Sequence, residues 1–347
     1  MSRTSWLAFR PRDTVFVRDG RSFNAAADAL AETVRPGPTT IAGAVGEAFG
    51  KNNPAEVRGP VLAREGARGW EPYFPAPADL VVTTDAAHRV FRLELAELAG
   101  QTDLGGPADG GVQRWLTPPA RLDAFKALDG WIPGSVLADY LARRLPASNG
   151  TVKSELRVAQ PLCREPRVGL ARDDRSARTG FLYQTTHLRL EENWAFLAEI
   201  TTGEEWAARL SSHVPFGGRG RLADVSAAVM SWPDVPAEIG KQVLVYLATP
   251  AIWPDSWRLP VPDGAELVAA ATGDPEPSAT VKPGREWARS RALRWAVPAG
   301  AVYLLEFRDA GAGAEWARRW HGRAYGRPEE DLLRTAGFGV VLMGAWA

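Results

Sequence analysis

Along several short runs of the chain, apolar positions alternate with polar ones, the period-2 signature of strands with one buried face. Trp6 to Phe9 and Thr14 to Val17 read as strand pieces around Pro11. Phe181 to Leu190 and Trp194 to Ile200 read as two more, joined by the turn Glu191-Glu192-Asn193. Leu80 to Thr84 and Arg89 to Leu93 make a predicted hairpin, and Val243 to Ala248 a strand after the breakers Pro233, Pro236 and Gly240. Helical spacing is rarer. It covers Thr39 to Phe49, where Thr39 follows Pro38 as a cap, and the neighbourhood of Gly134 to Arg144. Residues 50–78, crowded with Gly50, Asn52, Pro54, Gly59, Pro60, Pro72 and Pro75, read as loop, and 101–120 as a second irregular stretch.

Two parts of the chain repeat one order. Phe196-Leu197-Ala198-Glu199-Ile200 precedes the predicted helix Glu205-Trp206-Ala207-Ala208-Arg209-Leu210, then a glycine turn, then the strand Leu222 to Val229. Tyr303-Leu304-Leu305-Glu306-Phe307 precedes Glu315-Trp316-Ala317-Arg318-Arg319-Trp320, then Gly337-Phe338-Gly339, then Val340 to Met343. Strand, helix, glycine turn and strand form the second half of a β-α-β-β-α-β unit. The fold class expected is α+β: two ferredoxin-like (RRM-like) domains, 1–236 and 237–347, with long loop and hairpin insertions. Chance likeness of two amphipathic helices is the competing explanation, and residues 243–300 offer no clear first helix.

Composition narrows the function. The 41 basic residues balance 41 acidic ones, which argues against a protein that coats nucleic acid without selectivity, so a polyanion site must be local. Basic residues do gather at Arg3, Arg10, Arg12, Arg18 and Arg21, and again at Arg164, Arg167, Arg172, Arg175, Arg178 and Arg189. Only five of the 41 are Lys, and Arg matches phosphate in a bidentate way; a GC-rich genome would produce the same overall bias, although not the clustering. No apolar run reaches 18 residues and the N-terminus lacks a secretory core, so a cytoplasmic protein without a membrane segment is expected. The single Cys163 excludes an internal disulfide framework and reads as a small core hydrophobe.

The chemistry-bearing candidate is Pro215-Phe216-Gly217-Gly218-Arg219-Gly220-Arg221-Leu222. Glycines at this spacing allow positive φ and turn successive N–H groups outward, and Arg219 and Arg221 suit the same anion. Phe216, Tyr183 and Phe181 are candidate base-stackers, although aromatic residues in strands are mostly core. The C-terminal copy has Phe338 and no arginine, so phosphate contact falls to the first copy. His213, four residues before Gly217, and His187 would serve a nuclease as general acid; a solvated histidine at a helix end competes for His213. No metal-ligand spacing and no P-loop occurs, so no metal or cofactor is expected. Asp173-Asp174, between Arg172 and Arg175, reads as a structured polar loop.

The blocks together resemble a known family. They are Phe9-Arg10-Pro11-Arg12-Asp13-Thr14-Val15-Phe16-Val17-Arg18-Asp19-Gly20-Arg21-Ser22-Phe23, Thr39-Thr40-Ile41-Ala42-Gly43-Ala44, Val168-Gly169-Leu170-Ala171-Arg172-Asp173-Asp174-Arg175, Gly180 to Leu190, the Gly-Gly-Arg-Gly-Arg loop and Ala336-Gly337-Phe338-Gly339. In this order they are similar to the third subunit of the Cmr effector complex of type III-B CRISPR systems, a RAMP-superfamily protein. Ser22 stands where that family has Pro. The resemblance implies two ferredoxin-like domains without nuclease activity and a grip on the 5′ tag of the CRISPR RNA. As partners it implies the large polymerase-like subunit and the first backbone RAMP subunit. Its implied RNA-facing residues are Arg18, Arg21, Thr39, Thr40, Arg172, Arg175, Arg178, Gly217, Gly218, Arg219, Gly220 and Arg221; for Thr39 and Thr40 helix capping is the other reading. Some RAMP proteins instead cleave precursor CRISPR RNA, which leaves an endoribonuclease as the alternative function.

Overall fold

The computed structural model describes residues 3–18, 33–50, 56–67, 69–97, 114–119, 122, 124–202, 211–281, 291–326, 333 and 335–346, with 97, 171–173, 177–183, 280, 281, 291 and 292 as backbone alone. Two antiparallel sheets dominate. The first is built on β1 (Arg3–Pro11), β2 (Glu56–Gly66), β3 (Trp194–Thr202) and β4 (Leu222–Ala228), with helix α1 (Pro38–Ala48) between β1 and β2 in sequence. The second is built on β5 (Gln242–Leu247), β6 (Ala265–Ala271), β7 (Val302–Phe307) and β8 (Val340–Ala345). Helix α2 (Gly134–Leu141) precedes β3 in the chain and α3 (Ala310–Trp320) connects β7 to β8.

In space the strands run β4-β1-β3-β2 in the first sheet and β8-β5-β7-β6 in the second. Each reads fourth, first, third, second in chain order, with every neighbour antiparallel. The repeat seen in the sequence is thus a repeat of sheet order. Between β5 and β6, residues 248–264 form turns and bridges with no helix, as the sequence led one to expect.

β1 shows why these residues form strands. Leu7 and Phe9 point to one face, where they join Phe196, Phe216 and Ile41 of α1, while Trp6 and Ala8 point to the other and join Ala195 and Leu197. β3 is buried on both faces, which explains its nearly unbroken apolar run. A third cluster contains Val61 and Phe74 together with Leu244, Tyr246, Leu304 and Leu342, so one core draws on both sheets. Tyr246 donates its hydroxyl proton to the Pro75 carbonyl at 2.6 Å across that contact.

Three expectations are corrected. The stretch 50–78 is not loop: β2 and the strand Gly69–Pro75 occupy most of its described residues. Gly59 and Pro60 together oppose Ala198 alone, a bulge that absorbs the N–H missing from proline. Pro72 lies just beyond the end of the neighbouring strand Trp131–Pro133. Next, α1 starts at Pro38 behind Gly37, with no side-chain cap, so Thr39 is not the cap. Finally, α3 starts at Ala310, five residues before Glu315, because Asp309 caps it by accepting from the Ala312 N–H at 2.7 Å. Gly311 and Gly313 hid that first turn from the periodicity. Gly313 is needed there, since a Cβ would sit 2.6 Å from the Gly240 carbonyl oxygen. The predicted helix 205–210 and most of 101–120 lie outside the described residues; Arg114–Thr117 is a strand.

A long hairpin, Leu162–Asp173 with Ser176–Leu190, leaves the body beside the short strand Thr14–Val15. Its base is fixed by charge. Asp13 pairs with Arg189 at 3.0 Å, with Arg167 at 3.3 Å and with Arg221, and Glu165 binds Arg167 and Arg189, each at 2.6 Å. Asp174 and Arg175 form the exposed turn at its tip, Asp174 with φ +54°.

Candidate nucleic-acid interface

A groove of about 770 Å³ opens where the end of the first strand region, the start of α1, the glycine loop and a two-stranded ribbon of the C-terminal half meet. Arg18, Thr39, Thr40, Gly217 and Gly218 all line it. These five come from three stretches far apart in sequence, and each was singled out as RNA-facing.

The start of α1 supplies the first positive element. Gly37 caps it without a side-chain acceptor and its first turn holds no acidic residue. The helix therefore turns its partial positive end to the groove with no acidic side chain in its own first turn, while Glu47 and Glu276 also line the groove and Pro38 brings no N–H. The Thr40 N–H is committed to the Gly37 carbonyl at 3.0 Å.

The glycine loop supplies the second. Gly217, Arg219 and Gly220 all have positive φ, at +84°, +58° and +66°. At Gly217 glycine is required twice over, because a Cβ would also lie 2.7 Å from the Phe16 carbonyl oxygen. The Gly218 N–H donates to that same oxygen at 2.7 Å, so it anchors the loop rather than facing a ligand. The Arg219 guanidinium lies over the Phe16 ring, 5.1 Å from its centre. Arg221 turns the other way, to Asp13 and the hairpin base.

Arg35 and the ribbon Glu276–Val281 with Arg291–Ala296 form the remaining wall, which sequence reasoning missed. Arg35 pairs with Glu276 and lies 5.7 Å from the centre of the Trp131 ring. Glu47 also lines the groove. The Pro36 and Pro38 flanks and the alternation Leu293, Trp295 were the signals available in the sequence.

Other candidates fall elsewhere. Arg172, Arg175 and Arg178 lie on the outer part of the hairpin; Arg175 is exposed and is not among the groove's lining residues, and the side chains of Arg172 and Arg178 lie outside the described ones. Arg21 lies outside the described residues, as do the side chains of Phe181 and Tyr183. Phe216 is not a stacker: it is 1% exposed and packs on Phe9 and Phe196. Cys163 is exposed, not core, because it stands on the hairpin rather than in a sheet with two covered faces.

Neither histidine lines the groove. His213 begins a short strand instead of ending a helix, and its ring meets Asp224 at 3.3 Å and Arg12 at 3.0 Å. His187 is buried, bonded to the Thr14 hydroxyl at 2.8 Å; burial first, then the charges of Arg167, Arg221 and Arg219, hold its pKa below the ordinary histidine value. No group of three or more metal-ligating side chains occurs among the described residues. None of their helices is long and apolar enough to cross a membrane.

Two cryo-EM structures share this fold. One, of the type III-B Cmr-beta complex bound to cognate target RNA and AMPPnP, contains a chain with a TM-score of 0.51 and 13% identity, covering 86% of each chain. The other, of type III-B Cmr-beta bound to cognate target RNA, gives 0.50 and 14%, again over 86% of each. No curated protein matches the sequence. By fold, then, this is a mixed α+β protein of the kind that type III-B CRISPR effector complexes contain. More particularly, it belongs to the family of CRISPR-associated proteins described as Cas_Cmr3, whose match spans residues 7–346.

Proposed function

We propose that the chain is a non-catalytic, RNA-binding subunit of a type III-B effector complex, and that its groove grips the 5′ tag of the CRISPR RNA. In that complex it joins the large polymerase-like subunit to the backbone RAMP subunits. The observation that carries this reading is the convergence of Arg18, Thr39, Thr40 and the 217–218 turn on one groove with an uncapped helix start. A single-stranded phosphate backbone fits that chemistry, and the family match supports the setting. The shared fourth-first-third-second strand order supports two ferredoxin-like units divided near 236/237, with a common core between them. The positions of His187 and His213 favour binding without cleavage.

Arg18→Ala combined with Arg219→Ala is expected to weaken binding of tagged RNA and to flatten the dependence of log K on log salt by about 0.7 for each phosphate no longer neutralised. Anisotropy titrations across a salt series measure both. An unchanged affinity and slope would remove these residues from the RNA path.

A further inference from the structure

The ribbon Glu276–Val281 with Arg291–Ala296 has two unlike faces. Residues directly opposed in an antiparallel pair share a face, so the pairs Pro277 with Trp295 and Ala279 with Leu293 put four apolar side chains together. The opposite face is satisfied: Ala296 is buried against Ile252 and Phe338, and Glu276 holds Arg35. The apolar face is not. Trp295 is 60% exposed and Leu293 46%. Pro277, Ala279 and Leu293 line the groove, as do Glu276, Ser278 and Ala296 of the other face; Trp295 is not among the lining residues but stands directly across from Pro277 and two residues from Leu293 on the same face, at the groove's rim.

The two walls of the groove are therefore complementary in kind. One offers Arg18 and the start of α1; the other offers Leu293, with the exposed ring of Trp295 beside it at the rim. A protein's apolar patch seated here would strip water from the helix start without supplying an anion. An unpaired nucleotide brings both a phosphate and a flat apolar base. We propose that Trp295, flanked by Leu293, is a base-stacking platform at the rim of this groove and holds an unpaired base of the RNA whose phosphates meet the opposite wall. This rests on the RNA-binding reading above. Stacking of this sort tolerates any base, because every base has a π-face.

The probes are an oligouridine strand and the same ribose-phosphate strand with abasic positions, titrated against the full chain. Trp295→Ala is expected to lower affinity for oligouridine about tenfold while leaving the salt slope unchanged, and Trp295→Phe to restore most of the loss. On the abasic strand, wild type and Trp295→Ala are expected to bind alike. Wild-type affinity in Trp295→Ala, with binding still weakened by Arg18→Ala and Arg219→Ala, would overturn the platform and leave the RNA reading standing. Absence of salt-dependent binding of either strand to wild type would overturn the RNA reading and the platform with it. If Trp295→Ala kept its RNA affinity but released a protein subunit from the assembled complex, the face would be a protein contact and the platform wrong.

Discussion

At the scale of single residues, burial and partners separate side chains that the sequence treats alike. Phe216 and Trp295 are both aromatic and both near the groove, yet one is enclosed by Phe9 and Phe196 and the other faces solvent. Phe216→Ala is expected to destabilise the fold by about 3–5 kcal/mol, the usual cost of an aromatic cavity. A urea melt checks this; a loss of RNA affinity with an unchanged midpoint would mean that Phe216 faces RNA after all. Arg219 and Arg221 divide in the same way, the first over Phe16 and the second bound to Asp13. Two positions of sequence separate them, but the positive φ at Arg219 and Gly220 turns the chain between.

At the scale of elements, the hairpin base is where charge acts as structure. Burial alone would raise the Asp13 pKa, but the hydrogen bond from Arg189 and the charges of Arg167 and Arg221 outweigh it and hold the carboxyl below its usual value. Hydrogen bonds from Arg189 and Arg167 do the same to Glu165. A carboxylate with a depressed folded-state pKa contributes fully above its unfolded value and loses that contribution as pH falls through the folded one. The hairpin is thus expected to loosen as pH drops below about 4, seen as lower protection factors, the amide exchange rates corrected for the intrinsic rate at each pH, in Leu162–Asp173 and Ser176–Leu190. Asp13→Asn is expected to show lower protection at neutral pH and to change less on acidification. Protection factors that stay constant down to about pH 3 would show that the cluster does not hold the hairpin.

Much of the element order was legible because short, nearly continuous apolar runs such as Leu80–Thr83 and Val302–Phe307 carry the signature of fully buried strands. β2 was not, because Gly59 and Pro60 mark a bulge and mark loops equally well. The first turn of α3 was hidden by glycines that tertiary packing demands. Arg18, Thr39, Thr40, Gly217 and Gly218, expected from the sequence to face RNA, line one groove, whereas Arg219, Gly220 and Arg221 of the same loop are not among its lining residues. The ribbon wall was not, since its role comes from which face the second sheet leaves uncovered, a property of packing and not of local sequence.

At the scale of the molecule, two sheets of the same strand order share a core, and the groove is assembled from both halves of the chain. The N-terminal half supplies its cationic wall and the C-terminal half its apolar one. Under the proposed function, each half takes a distinct part in holding one strand of RNA: phosphates on one side and a base on the other. Cross-linking of the effector complex with 4-thiouridine placed in the 5′ tag of its CRISPR RNA, followed by peptide mapping, tests this most directly. The account expects cross-linked peptides from the start of α1, from Phe216 to Arg221 and from the strand bearing Leu293 and Trp295. Tag cross-links confined to other surfaces of the chain, with none in these three segments, would contradict it.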